Sequence, residues 1–232
     1  MSARVSSAAS AVAAVASLTW RRTRRSRTLW ISLALTALPI AAGLAMRLGS
    51  GSLDDAWSTI LSSQQVLLAV LCPLYAAASL GEEIESGTMT YLWSRPVPRW
   101  SVAAGKLVAL TPIVALMITA SAAATMVVAH GAPPAASSLA ALALGAGVLS
   151  VASTGVATLV PRHSMVVPMV YLLFVDLPVG ELPMALYRVS MTRHLRVLAD
   201  GASGGAVEAA LWLAGLTAVW AAIGLWRLRD LE

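Results

Sequence analysis

What this sequence has least of is charge. Only 12% of its residues are Asp, Glu, Lys or Arg, while 58% are hydrophobic; a soluble domain carries about 25% charged residues. A water-soluble fold of 232 residues could not hide that much apolar surface in one core, which excludes an ordinary globular domain. The few charges are also clustered. None occurs from Ala56 to Gly81, and none across the 55 residues from Leu107 to Pro161. A membrane helix needs roughly 20 apolar residues to cross the hydrocarbon core, so the longer run holds two crossings with a break between them. Cysteine is nearly absent as well. Cys72 stands alone, so no intramolecular disulfide is available and the redox compartment stays unread. The order of a secretory signal peptide, positive charge before an apolar stretch and a cleavage site after it, is missing too. Here the mildly apolar Ala8 to Leu18 comes first, and Arg21, Arg22, Arg24, Arg25 and Arg27 follow.

What is there reads as an all-α membrane protein of six transmembrane helices. Residues 1–28 form an N-terminal amphipathic, basic segment. Within it, residues 5–20 are expected to lie as an in-plane helix, held at the headgroups by Trp20 and the arginines. Residues 29–232 form the six-span domain. Its spans are expected at Leu29 to Met46, about Ile60 to Leu80, Leu107 to Ala129, Ser138 to Val160, a short or broken span from Ser164, and Ala209 to Trp226. His130-Gly131-Ala132-Pro133-Pro134 divides the third span from the fourth, because Pro cannot continue a helix and restricts the residue before it. Asp176, Pro178 and Pro183 interrupt the fifth. A 25-residue segment, 181–205, separates the fifth span from the last and is expected to be extracytoplasmic.

Orientation follows from counting. Six spans place the N-terminus, the connection 82–106, the turn at Pro161 and the C-terminus on one side. That side holds 12 of the 16 basic residues, and Lys and Arg near spans are retained in the cytoplasm. Both termini are therefore expected to be cytoplasmic. The +5 net charge is read as topology, with no nucleic-acid partner.

The connection between spans two and three is the most specific feature. It opens with Glu82, Glu83 and Glu85, continues through Ser86, Gly87 and Thr88, turns at Ser94-Arg95-Pro96 and ends at Gly105-Lys106. It reads as a short helix along the cytoplasmic face, bounded by Gly87 and Pro96. That order resembles the first cytoplasmic loop of the membrane subunits of type-2 (exporter) ABC transporters. The six-span layout, the basic in-plane helix and the long segment before the last span resemble that family as well, and the resemblance implies short helices in that segment, 181–205. The resemblance implies a permease subunit of an ATP-driven exporter in the bacterial cytoplasmic membrane. It implies that the loop is a coupling helix seated in a cleft of a separate ATP-binding subunit, with Glu82, Glu83, Glu85, Ser86, Gly87 and Thr88 as its docking and hinge region. It further implies a second permease copy, as homodimer or heterodimer, among membrane lipids. ATP and Mg would sit on the partner and no cofactor on this chain. The residues agree on one point. A P-loop requires Gly-x4-Gly-Lys-Ser/Thr, but the sole Gly-Lys, Gly105-Lys106, has Trp100 at the first glycine's place and Leu107 after it.

Other candidate positions are fewer. Asp176 is the one acid close to a span interior, and intramembrane acids are functional candidates by default; an interfacial or capping role is equally open. Arg188, Arg193 and Arg196 form a cationic outer rim, able to meet anionic lipid or substrate or to snorkel from an interfacial loop. His130, His163 and His194 fall in three separate connections, so no metal site is expected. Two other functions compete. An intramembrane protease built on Glu82-Glu83 would need Glu-Glu-x3-Arg, but position 87 is Gly. An ion-coupled secondary transporter needs titratable groups near the midplane, and spans one to four and six contain none.

Overall fold

The computed structural model describes residues 8–48, 53–79, 99–183, 185–201 and 205–230. Among these the chain is helical and has no strand. Five helices are long and apolar enough to cross a membrane: Arg27–Arg47, Ala56–Ala77, Trp100–His130, Ala136–Leu159 and Ala206–Leu228.

The first helix, α1, spans Ala8–Thr23. Val12, Val15, Ala16, Thr19 and Thr23 lie along one side and are shielded, whereas Ala13, Ala14, Ser17 and Leu18 are exposed, the spacing of an amphipathic helix laid on a neighbour. Ser26 then opens α2, Arg27–Arg47, by accepting the Thr28 N–H at 3.1 Å; a serine at this position satisfies an amide that no helical turn can reach. α3 runs Leu53–Cys72 and passes at Pro73, which has no N–H to offer, into a π-helical turn, Pro73–Ala77.

The next helix, α4, extends from Arg99 to His130, 32 residues. At 1.5 Å per residue it is about 48 Å long, well beyond the roughly 30 Å hydrocarbon core. α5 covers Ala136–Leu159 and a 3-10 turn, Pro161–His163, follows. The expected broken span is one continuous helical run of three stretches: α6, Val166–Val170; a π-helical stretch, Tyr171–Asp176; and α7, Leu177–Glu181. Its 16 residues reach about 24 Å, less than the length of any of the five long helices. A 3-10 turn at Ala185–Val189 leads to α8, Met191–Ala199, and then α9, Ala206–Asp230.

α3 and α5 form the centre and α2 and α9 the periphery. Of the apolar stretch of each helix, 72% and 67% is buried in the first pair, against 22% and 11% in the second. The core joins Leu68 and Leu71 of α3, Val114 and Ile118 of α4, Ala146 and Leu149 of α5, and Leu172, Leu195 and Leu213 from the later elements. Outward faces carry Trp30, Leu38, Leu116, Phe174 and Leu211, all more than half exposed, as expected of surfaces solvated by lipid.

Small residues set the closest crossings. A Cβ on Gly155 of α5 would stand 2.7 Å from the Trp220 carbonyl of α9, and one on Gly105 of α4 would stand 2.8 Å from Val15 Cβ of α1. Such backbone approach is how helices associate where lipid supplies no hydrophobic drive. The row Ala146, Ser150, Thr154 and Thr158 is buried along α5. The Cys72 thiol donates to the Ala146 carbonyl at 3.7 Å, which makes the lone cysteine a packing residue.

Candidate functional site at the root of the α3–α4 connection

Both ends of the connection between α3 and α4 are held by one side chain. Lys106, 5% exposed, lies in the second turn of α4 and donates from Nζ to the carbonyl of Ser79, the last described residue of the helical run that continues α3 past Pro73–Ala77. A buried ammonium is costly unless it finds acceptors of this kind. The residues between, 80–98, include Glu82, Glu83, Glu85, Ser86, Gly87 and Thr88 and lie outside the described residues.

A polar cavity of about 250 Å3 opens beside this tether. α1 supplies Thr19, Arg22 and Thr23, the α1–α2 junction Ser26, and α3 and α4 Tyr75, Ser79 and Lys106. Met165, just before α6, reaches the same cavity. Tyr75 is 4% exposed, and its hydroxyl, beside Ser32, meets no partner in hydrogen-bonding geometry. The α1–α2 junction, the end of α3, the start of α4 and the start of α6 thus share one end of the bundle. A second, apolar cleft lined by Trp100, Gly155 and Leu228 places the end of α9 there too. Arg21, Arg22, Arg24 and Arg25 at the close of α1, and Arg27 at the start of α2, are all exposed at this end.

The opposite end carries the remaining sequence candidates, and they do not converge on one site. Asp176 is 2% exposed and serves the start of α8. Its Oδ1 accepts the Met191 N–H and its Oδ2 the Thr192 N–H, each at 2.9 Å. Ser190 caps the same helix by accepting the Arg193 N–H at 3.2 Å and donates to the Asp176 carbonyl at 2.9 Å. A carboxylate at a helix N-terminus is favoured by both its orphan amides and its dipole.

The three rim arginines are dispersed. Arg196 pairs with Glu181 at 2.7 Å in an exposed ion pair, Arg193 lies over the Tyr187 ring at 5.7 Å, and Arg188 is exposed. His194 is buried, with Nε2 2.9 Å from the Arg188 carbonyl and its ring stacked on Trp212. Partial burial pushes the Asp200 carboxyl up, against the pull of Arg196 and Arg193.

Sequence reasoning missed the polar contacts inside the bundle. Gln64, fully buried, donates from Nε2 to Ser121 Oγ at 3.2 Å, and that hydroxyl donates to the Thr36 carbonyl at 2.9 Å, so one chain of bonds ties α3, α4 and α2. Gln65 donates to the Thr192 carbonyl at 2.8 Å. Two adjacent amides in an apolar segment were a signal that partners exist, but not which ones.

With five helices of membrane length and a basic helix before the first of them, all-helical among the described residues, the chain is a multi-pass membrane protein. The family description "ABC-2 family transporter protein" matches residues 19–178, more than half of the chain. The chain belongs to that ABC-2 transporter family and is a permease component of an ABC transporter. The matched region runs from α1 into α7, so α8 and α9 lie beyond it. No curated protein matches the sequence.

Proposed function

We propose that this chain is the membrane subunit of an ATP-driven exporter in the bacterial cytoplasmic membrane, working with a separate ATP-binding subunit and a second permease copy. The chain crosses the membrane six times, the short α6–α7 run making the shortest passage, with both termini in the cytoplasm. ATP and Mg bind on the partner. Glu82, Glu83, Glu85, Ser86, Gly87 and Thr88 form the surface that the ATPase grips, and the Arg21–Arg27 cluster anchors the same side at the headgroups.

The observation that carries this reading is the Lys106–Ser79 tether. It joins the two roots of the acidic connection at the end of the bundle where the arginine cluster also lies. A push on that connection is therefore delivered to α3 and α4 together, and α3 is one of the two central rods. Counting basic residues puts this end in the cytoplasm, where ATP is. The buried Asp176 argues against ion coupling, because both its oxygens already serve backbone amides.

The test is co-purification with candidate ABC ATP-binding subunits from the same genome, followed by ATP hydrolysis in proteoliposomes. Wild-type chain is expected to hold the ATPase and raise its turnover, whereas Gly87→Pro and Glu83→Arg insert normally but lose both effects. Full stimulation in both variants would overturn the assignment. Reporter fusions at Asp55 and Gly201 should both read outside; a cytoplasmic signal at either removes the topology.

A further inference from the structure

An in-plane helix ordinarily holds a bilayer by burying its apolar face among the acyl chains. In α1 that face is engaged elsewhere. Val12, Val15 and Ala16 are shielded, and what shields them is protein. A Cβ on Gly105 of α4 would stand 2.8 Å from Val15 Cβ and 2.9 Å from the Val12 carbonyl oxygen, and Ala16 packs against the hydrophobic core. Outward, α1 presents Ala13, Ala14 and Ser17, with Leu18 and Trp20 as its large apolar side chains. That is little hydrocarbon with which to hold a leaflet.

The cations that follow are placed to do it instead. The helical turn continues past Thr23: the Arg24 N–H donates to the Trp20 carbonyl at 3.1 Å and the Ser26 N–H to the Thr23 carbonyl at 3.0 Å. Arg21, Arg24 and Arg25 therefore follow Leu18 along one side at three- and four-residue spacing, and Arg27 opens α2. All four are exposed. No acidic residue precedes Asp54 in the sequence, so α1 and α2 contain no carboxylate to neutralise them.

Hydrocarbon lies directly beside this elbow. Trp20 is 41% and Trp30 74% exposed, and Ile31, Leu38 and Leu44 continue as exposed apolar side chains along α2. Indoles on either side of a cationic turn mark a headgroup boundary, and four or more cations at the root of a span attract an anionic leaflet. An acidic protein surface would match the arginines but not the lipid-facing helix that rises from them.

We infer that the α1–α2 elbow is a binding site for anionic phospholipids, whose phosphates are held by Arg21, Arg24, Arg25 and Arg27 between the two indoles. Guanidinium groups meet phosphate with charge-assisted, often bidentate bonds. The grip of α1 on the leaflet is thus electrostatic, and it follows lipid charge and ionic strength. This deepens the headgroup role given to the cluster above; only the choice of leaflet rests on the topology proposed there.

The experiment uses the full chain with a bimane on Ser17→Cys, an exposed position one turn before Arg21; the native Cys72 is buried. The protein is placed in phosphatidylcholine nanodiscs in which an equal small fraction of phosphatidylglycerol or of phosphatidylcholine carries a spin label high on its acyl chain. Both leaflets of a disc have one composition, so a failed site and a failed topology register in different experiments. The ratio of the two quenching constants measures enrichment at the elbow. Phosphatidylglycerol is expected to be enriched by about fivefold or more at low salt. The ratio should fall to near unity at about 1 M salt, where the screening length is about 3 Å. Changing the four arginines together to Gln should abolish the enrichment, whereas changing them to Lys should keep most of it, which separates charge from misfolding. The pair Arg24→Gln and Arg25→Gln, a milder change, should lower it in part.

Equal quenching by the two lipids, enrichment that survives high salt, or enrichment unchanged in both Gln variants would overturn the inference. Two rival occupants register as well. Enrichment that appears only when Glu82, Glu83 and Glu85 are changed together to Gln would give the arginines to carboxylates of this chain. Enrichment abolished by adding an ATP-binding subunit would give them to an acidic protein face. Either result removes lipid as the occupant.

Discussion

The crossing of α5 and α9 can be tested one methyl group at a time. Gly155 faces the α9 backbone so closely that an added Cβ would lie 2.7 Å from the Trp220 carbonyl oxygen, 3.3 Å from its carbon and 3.2 Å from the ring. Two of those three atoms are backbone, so no rotamer change clears them and α9 must retreat by several tenths of an ångström. A gap of about 0.5–1 Å forfeits a quarter to a half of each dispersion contact along the crossing. Overpacking of this kind costs typically 1–3 kcal/mol. Against it stands the gain of about 0.5–1 kcal/mol from replacing a helical glycine by alanine.

Two controls separate the terms. A Cβ on Gly147, in the same helix, meets only Thr111 Cγ2 at 3.8 Å, and one on Gly224, at the same crossing, meets Gly155 Cα at 3.5 Å. Gly147→Ala should therefore stabilise by about 0.5–1 kcal/mol and Gly224→Ala should be neutral or better. Gly155→Ala should fall below Gly147→Ala by about 1–3 kcal/mol. Reversible unfolding in mixed micelles measures all three. If Gly155→Ala matches Gly147→Ala, or Gly224→Ala proves the worst, the crossing is not packed as described.

Further predictions rest on the buried polar contacts. Asp176→Ala strands two amides at the start of α8, at about 1–3 kcal/mol each; hydrogen exchange at Met191 and Thr192 should rise sharply, and unchanged protection would refute the capping role. Ser121→Ala removes the acceptor of Gln64 and the donor to Thr36, and should destabilise by about 0.6–1.7 kcal/mol, the range for interhelical bonds in lipid. Gln64→Leu also deletes an amide whose Oε1 has no partner, so it should be milder than Ser121→Ala in the same unfolding assay.

How much of this was legible varies by contact type. The five long helices were readable because uninterrupted apolar length is what a membrane demands, and Arg27–Arg47 and Ala136–Leu159 depart from expectation by at most two residues at either end. α4 was drawn too short, since hydropathy marks where lipid ends and not where hydrogen bonding ends. Its first turns, from Arg99, are polar enough to leave the membrane yet bury Ser101, Val102 and Ala103. The amphipathic helix before the first span ends at Thr23, three residues beyond the expected end at 20, because no residue type marks a sharp stop before the arginines. The partners of Gln64, Asp176 and Lys106 were not readable. They sit 57, 15–16 and 27 residues away along the chain, and which lone polar group meets which depends on helix packing that composition does not encode.

Lys106 brings these threads together, because the same ammonium holds the Ser79 carbonyl and lines the cavity. Lys106→Met keeps the length and apolar stem of the side chain and removes the charge, so α4 keeps its packing while Ser79 is released. In the proposed complex the ATPase still docks, since the acidic connection is intact, and ATP is still hydrolysed. What should fail is transmission to the far end of the bundle, because a push on the connection then bends its roots apart before it moves α3. Arg188→Cys puts a thiol at an exposed position there, and the native Cys72 is buried, so a membrane-impermeant maleimide reads that site with little background. With Lys106 present, labelling should change on adding ATP; in the Lys106→Met background, hydrolysis should persist and the change should vanish. An ATP-dependent change of the same size in both proteins would mean that the tether carries no load.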